Sequence, residues 1–324
     1  MKVFHNIDIN NPLPEQLKGC VVAIGNFDGI HLGHRSIFEY SIKIAKDLPA
    51  VILLFDPHPK AILDPSASIF TLTPRSIQEK ISEYMGFSAL IRYKFTSEVA
   101  DYSAEQFIQQ VLVKWLRAKQ VVTGSKFRFG KNRTGDGNFL KKSGERYGFN
   151  TVLVDEIYDS SSKIISSTRI RNSLKEGHVD QAAKLLGYHF TVESKVVHGK
   201  KLGRRLGYPT ANMNLKSGID LKEGVYTIHF RTQDKRSHRG IANFGRNPTI
   251  TKGGSLHLES FIFNFSQEIY GEICCVSFFD FIRPEIKFKD LQELIDYIQK
   301  DERKARNMLA KKRPISEIDR LICF

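Results

Sequence analysis

Two histidines, His31 and His34, stand three residues apart in the run Gly25-Asn26-Phe27-Asp28-Gly29-Ile30-His31-Leu32-Gly33-His34. At that spacing both imidazoles face one side of the start of a helix. The apolar run Cys20 to Ile24 before them reads as a buried strand. Ser36 to Leu48 after them reads as a helix with Phe38, Ile42, Ala45 and Leu48 on one face. A glycine-rich turn between strand and helix gathers backbone N–H groups and the positive end of a helix dipole at one point, where phosphate binds well. Gly29 and Gly33 lack Cβ and let the backbone turn sharply beside a ligand. The plainer alternative is an ordinary turn carrying two partly exposed histidines. Zinc is disfavoured, because no third His or Cys stands nearby at ligand spacing.

Three further stretches carry usable groups. Gly124-Ser125-Lys126-Phe127-Arg128-Phe129-Gly130 places aromatics and cations together, as either a binding edge or rim packing. Ile165-Ser166-Ser167-Thr168-Arg169-Ile170-Arg171 puts hydroxyls at a helix start ahead of arginines, which suits phosphate but also a plain N-cap. His198-Gly199-Lys200-Lys201-Leu202-Gly203-Arg204-Arg205-Leu206-Gly207 is a glycine- and cation-rich loop, a phosphate cradle or a basic hairpin tip, and Tyr208-Pro209-Thr210-Ala211-Asn212 follows it directly.

The elements that must position these groups change character near Gly187. Before it, strands at Cys20–Ile24, Ala50–Phe55, Ala89–Phe95, Gln120–Thr123 and Thr151–Ile157 alternate with helices. One helix opens after Thr73-Pro74, and another carries a Ser103/Gln106 capping box ahead of Phe107, Val111 and Trp115. This alternation predicts a parallel sheet covered on both faces, with ligands at the carboxyl ends of its strands. The histidine run, Asp56-Pro57-His58-Pro59 and Gly124 onward all lie at such ends. After Gly187, strands near 190–198, 224–232, 238–244, 255–265 and 272–281 follow one another without helices, predicting an antiparallel barrel or sandwich. A last helix begins at Asp290, with Glu293 at its third position and Leu291, Leu294, Ile295 and Ile298 as its apolar face.

The 324 residues suffice for two domains, placed at 1–187 and 188–324. No apolar stretch reaches the roughly 20 residues a membrane span needs, and Met1–Asn10 lacks the pattern of a signal peptide. Four cysteines without metal spacing fit a reduced, cytoplasmic protein. The net charge of +14 suits polyphosphate substrates as well as nucleic acid, and its dispersal argues against a basic DNA-gripping tail.

The decapeptide resembles the Gly-x-Phe-Asp-Gly-x-His-x-Gly-His signature of nucleotidylyltransferases, and Ser167, Thr168 and Arg171 resemble their Ser-Thr-x-x-Arg signature. With Phe-Asp-Pro-His-Pro and the Phe-x-Phe-Gly loop in order, the first half is similar to the N-terminal module of bacterial bifunctional riboflavin kinase/FAD synthetases. Pro209-Thr210-Ala211-Asn212, preceded by Gly203-Arg204-x-Leu206-Gly207, matches the flavokinase motif. Gly224-Val225-Tyr226, Leu258-Glu259 and Ile269-Tyr270-Gly271 continue that likeness, as does Asp301-x-x-x-Ala305-Arg306.

The resemblance implies a Rossmann-like parallel sheet followed by an antiparallel β-barrel with a closing helix (α/β, then β). It implies conversion of riboflavin to FMN and of FMN to FAD, with ATP and Mg²⁺. It gives charge stabilisation to His31 and His34, and the role of general base to Glu259. Phosphate contacts fall to Gly25, Phe27, Asp28, Gly29, Gly33, Ser167, Thr168, Arg171, Gly199, Gly203, Arg204 and Gly207. Flavin contacts fall to Asp56, His58, Phe127, Phe129 and Arg306, and metal binding to Thr210 and Asn212. Small molecules are the implied partners, without nucleic acid or membrane, for a monomer or weak self-associate. The chain departs from the family pattern at Lys126, where Asp or Asn is usual, at Asn247 for Arg, and at Phe261 for His. Loss of one activity is one alternative, the kinase given Asn247 and Phe261 or the adenylyltransferase given Lys126; a basic nucleic-acid-binding protein is the other.

Overall fold

The computed structural model describes residues 1–64, 66, 70–199, 203, 206–215, 218–246 and 256–324. By packing, the chain forms two units, one of Met1–Ile69 with Arg75–Ile165 and one of Phe70–Pro74 with Ser166–Phe324.

The first unit is built on β1 (Lys2–Ile7), β2 (Val21–Ile24), β3 (Ala50–Asp56), β4 (Ala89–Lys94), β5 (Gln120–Gly124) and β6 (Asn150–Val154). All neighbours pair in parallel in the order β1-β4-β3-β2-β5-β6. The central strands are runs of Val, Ile, Leu and Ala with almost no exposure, as strands covered on both faces must be. The chain leaves β2 toward β3 and β4 on one side and later returns to β5 and β6 on the other. The carboxyl end of β2 is therefore the topological switch point, where such sheets bind ligands.

Helix α1 (Leu32–Ala45) packs on β2, β3 and β5. It begins four residues earlier than the periodicity predicts, and Leu48 lies beyond its end, 38% exposed. Helices α2 (Pro59–Leu63), α3 (Arg75–Tyr84), α4 (Ser97–Ala100), α5 (Ala104–Phe107) and α6 (Gly137–Tyr147) complete the unit. The capping box at Ser103 and Gln106 forms as expected. Beyond α5 the helix widens to a π-helix over Ile108–Trp115, still burying Val111 and Trp115. The edge strand β1 has no counterpart in the sequence reading.

In the second unit α7 (Ser167–Lys175) and α8 (Val179–Leu186) precede β7 (Thr191–Val197), β8 (Thr210–Asn214), β9 (Gly224–Arg231), β10 (Ser237–Arg246), β11 (Leu256–Ile262) and β12 (Ile273–Arg283). These strands close an antiparallel barrel in the order β10-β11-β8-β7-β12-β9, so of the two antiparallel options the barrel is realised. Its interior includes Met213, Ile228, Phe230, Leu258, Val276 and Phe278, all fully buried. Two bulges in β12, after Phe278 and Phe281, bend that strand toward its end.

The closing helix Leu291–Ala310 is capped by Asp290, whose carboxylate accepts from the Glu293 N–H at 2.8 Å. Ala305 and Leu309 bury it. So does the ion pair of Asp301 with Arg283 at 2.8 Å, both groups mostly shielded from water. Leu291, expected on the apolar face, is exposed. A terminal helix, Glu317–Cys323, is tied in by Asp319, whose carboxylate accepts from the His189 N–H at 2.9 Å, the Ile315 N–H at 3.0 Å and His189 Nδ1 at 2.9 Å.

Candidate active sites

At the switch point the backbone from Gly25 to Gly33 is shaped for close approach. Phe27, Gly29 and Ile30 have φ of 46°, 98° and 34°. The Phe27 ring lies so near Gly25 that a Cβ there would sit 2.9 Å from it. That ring packs edge-on against Phe38 and His34, and with the buried Asp28 it fixes the turn from beneath.

His31 is the N-cap of α1: its Nδ1 accepts from the His34 N–H at 3.3 Å. In a neutral ring the proton then sits on Nε2, the donor a phosphoryl oxygen requires. The two imidazoles stack with centroids 3.6 Å apart and planes 19° from parallel, so the expected common face is realised. A Cβ on Gly33 would meet the His31 ring at 3.2 Å. His31 is only 5% exposed, which sets it apart from an ordinary surface histidine. Helix dipole, backbone N–H groups and two ring donors thus converge at the start of one helix.

The same unit holds a cavity of about 590 Å³, a size that accepts a fused-ring ligand. Phe127 and Phe129 line it as a stacked pair, with Phe55, Phe95, Tyr102 and Lys126 also on its wall. Lys126 is drawn to Glu156 at 2.7 Å. Asp56 and His58 are not on this wall. Asp56 pairs with Arg75 at 2.8 Å, and His58 caps α2 by accepting from the Lys60 N–H. Ser167 and Thr168 occupy the first turn of α7 in the second unit, behind the N-cap Ser166. There Arg171 Nε donates to the Phe70 carbonyl at 2.7 Å.

The barrel carries the other site, on the outer face of β8 and β11. Thr210 pairs with Phe261 and Asn212 with Glu259. All four side chains face a cavity of about 550 Å³, while Ala211, Met213, Leu258 and Ser260 alternate into the buried face. Arg283, Glu285 and Phe288 line it too, with Leu294 and Ile298 from the closing helix.

Asn212 Nδ2 donates to the Thr210 carbonyl and to Thr210 Oγ1 at 3.2 and 3.3 Å. Gly199 abuts that amide, where a Cβ would come within 2.5 Å. Gly203 lies under the Tyr208 carbonyl and also lines the cavity, and Gly207 turns with φ 84°. Arg204 and the rest of that cationic run, Lys200, Lys201, Leu202 and Arg205, lie outside the described residues, as does Asn247. Arg306 does not line the cavity. It pairs with Glu302 at 2.7 Å and lies over the Phe263 ring.

His257, Arg283 and Glu285 stand in none of the motifs of the sequence. His257 had a signal: two residues before Glu259 on a strand, it shares that residue's face. A buried cluster of potential metal ligands, His189, Asp319 and Cys323, is taken up by structural contacts: the Asp319 bonds given above, and Cys323 Sγ 3.8 Å from Thr191 Oγ1.

A parallel sheet with a histidine pair at its switch point, followed by a barrel with hydroxyl, amide and carboxylate beside a ligand-sized cavity, defines a two-site phosphate-transferring enzyme. The family described as FAD synthetase matches residues 13–169, and that described as riboflavin kinase matches residues 186–309. The chain belongs to the bifunctional riboflavin kinase/FMN adenylyltransferase family. The protein of that name from Listeria monocytogenes is 36% identical over 90% of this chain and 93% of its own length. The one from Escherichia coli K12 is 33% identical over 97% of this chain and 100% of its own. A solved structure described as a macrolide-efflux protein from Streptococcus pneumoniae superposes with a TM-score of 0.84 at 32% identity, covering 95% of this chain and 99% of that one. Among the described residues of the present chain, no helix is long and apolar enough to cross a membrane.

Proposed function

We infer that the two activities of the family are housed in separate parts of this chain, with FMN adenylyltransferase in residues 1–187 and riboflavin kinase in residues 188–324. The enzyme phosphorylates riboflavin to FMN with ATP, then transfers the adenylyl group of a second ATP to FMN, giving FAD and pyrophosphate. The observation that carries the kinase reading is the meeting of Thr210, Asn212 and Glu259 at one cavity wall.

In that step Glu259 takes the proton from the riboflavin 5′-hydroxyl, and the oxygen attacks the γ-phosphorus of ATP. Mg²⁺ binds oxygen ligands and shares its shell with phosphates and water. The Thr210 hydroxyl oxygen and the Asn212 amide oxygen, which keeps a second lone pair beside the one facing His257, would hold it. Bound there, it would neutralise charge on the phosphate oxygens. Gly199, Gly203 and Gly207 contact the phosphates, a role the motif also gives to Arg204.

In the second step an FMN phosphate oxygen attacks the α-phosphorus and pyrophosphate leaves. His31 and His34 donate to the developing charge at the start of α1, with Gly25, Phe27, Asp28, Gly29 and Gly33 shaping the turn. Ser167, Thr168 and Arg171 hold phosphates, and the Phe127–Phe129 pair faces the flavin ring. The protein acts on small molecules in the cytoplasm, as a monomer or weak self-associate, with no nucleic-acid or membrane partner.

The test is incubation with riboflavin, ATP and Mg²⁺, beside a second tube started from FMN, with chromatographic separation of the flavins. FAD in both tubes is the expected result. FAD only from added FMN would refute the kinase assignment, and FMN accumulating without FAD would refute the adenylyltransferase.

A further inference from the structure

Asn212 and Glu259 are linked by a side chain assigned no role so far. His257 lies two residues before Glu259 on β11 and shares its face. Its Nε2 stands 2.9 Å from Asn212 Oδ1 and 3.2 Å from Glu259 Oε1. Both are acceptors, so Nε2 carries a hydrogen shared between them. The opposite nitrogen, Nδ1, lies 3.3 Å from Asn214 Oδ1, across the strand pair. The imidazole is held through Nε2, and its side chain is only 16% exposed, against 48% for Glu259.

An exposed carboxylate on a strand has several rotamers open to it, and an amide can flip by 180° at little cost. The shared Nε2–H removes both freedoms. It fixes the Asn212 amide with Oδ1 toward His257 and Nδ2 toward Thr210, and it draws one oxygen of Glu259 to the same point. The other carboxylate oxygen is left for a substrate hydroxyl.

We infer that His257 is a positioning residue for riboflavin phosphorylation, orienting the general base Glu259 and the metal-side amide Asn212 through one bifurcated hydrogen bond. This rests on the kinase reading above. His257 does not line the flavin cavity, so its loss acts on turnover and not on flavin binding.

The experiment compares His257→Leu, His257→Gln, Glu259→Gln and the double variant His257→Leu/Glu259→Gln with the parent. Leu keeps the volume and removes the donor; the Gln amide nitrogen restores a donor near the place of Nε2. Riboflavin phosphorylation in His257→Leu is expected to fall roughly 10- to 100-fold in kcat, the usual cost of an outer hydrogen-bond partner. KM for riboflavin should stay within about twofold, as should riboflavin affinity by fluorescence quenching without ATP or metal. His257→Gln should recover most of the rate. In the Glu259→Gln background, His257→Leu should cost far less than it does alone. The FMN adenylyltransferase rate serves as an internal measure of intact protein.

A full rate in His257→Leu would overturn the inference while leaving the kinase site standing, provided Glu259→Gln is slow. So would equal losses in the Leu and Gln variants, or additive losses in the double variant. A full rate in Glu259→Gln would overturn the base assignment itself, and this inference with it.

Discussion

Asn212 and Glu259 are directly opposed residues of the antiparallel pair β8–β11, so the amide and the carboxylate reach the same cavity from neighbouring strands. What keeps the amide there is in part the absence of a side chain: Gly199 has its Cα against the Asn212 side chain, and a Cβ would come within 2.5 Å of it. Gly199→Ala should therefore push Asn212 off its bonds to Thr210 and His257. Riboflavin phosphorylation is expected to fall at least tenfold, with adenylyl transfer to FMN unchanged. Rate assays of both half-reactions on one preparation check this.

His31 has two jobs that substitution can separate. As N-cap it accepts a backbone N–H, and as an imidazole it stacks on His34. Asn caps helices well and carries no ring. His31→Asn should keep the thermal stability of the parent and lose about 10²- to 10³-fold in FAD formation from FMN. His31→Ala should lose the same activity and about 1 kcal/mol of stability besides. Thermal melts with FMN adenylylation rates distinguish the two.

His229 is buried between the Phe279 and Phe324 rings, and its Nδ1 bonds the Cys323 carbonyl at 3.1 Å. Burial pushes its pKa down from 6.5 to about 4, so the folded barrel holds the ring neutral. The unfolded chain protonates near 6.5, so stability from this group is complete above that pH. It is lost as pH falls toward 4, on the order of 3 kcal/mol. His229→Phe should lose stability less steeply than the parent between pH 7 and 4.5 in urea titrations. The carbonyl it leaves behind still accepts from Ser237 Oγ at 2.8 Å.

Asp301 anchors the closing helix through Arg283, whose guanidinium also lies over the Phe288 and Tyr297 rings. Asp301→Ala would strand a mostly buried cation, at a cost of about 3 kcal/mol. Arg283, Phe288 and Leu294 line the cavity proposed to take the flavin, so riboflavin affinity should weaken together with the melting temperature. Fluorescence titration and a melt on the same variant test the pairing of the two losses.

The central parallel strands were legible because double-sided burial leaves them as unbroken Val/Ile/Leu runs. Edge strand β1 was not, because its burial is partial and its alternation weak. β8 was not read as a strand: Thr210-Ala211-Asn212-Met213-Asn214 has two asparagines and little β-branching, and it is extended because β7 and β11 pair with it. The true start of α1 was hidden because histidine is not among the favoured N-caps. For the sites, motif order placed His31, His34, Thr210, Asn212 and Glu259 where the geometry groups them. It could not show that Asp56, His58 and Arg306 spend their polar atoms on local partners, which depends on side-chain directions no spacing encodes.

The five residues Phe70–Pro74 are encoded inside the first unit yet packed in the second. Phe70 meets the Phe190 ring and accepts from Arg171, and Thr73 Oγ1 bonds the Tyr188 hydroxyl at 2.6 Å. During synthesis this segment leaves the ribosome roughly a hundred residues before its partners exist. Phe70 and Leu72, later buried, must wait in the open on the nascent chain. A gene cut near residue 187 would separate Phe70 and Thr73 from Phe190 and Tyr188. Halves made separately should therefore recover better when the two are expressed together than when either is made alone.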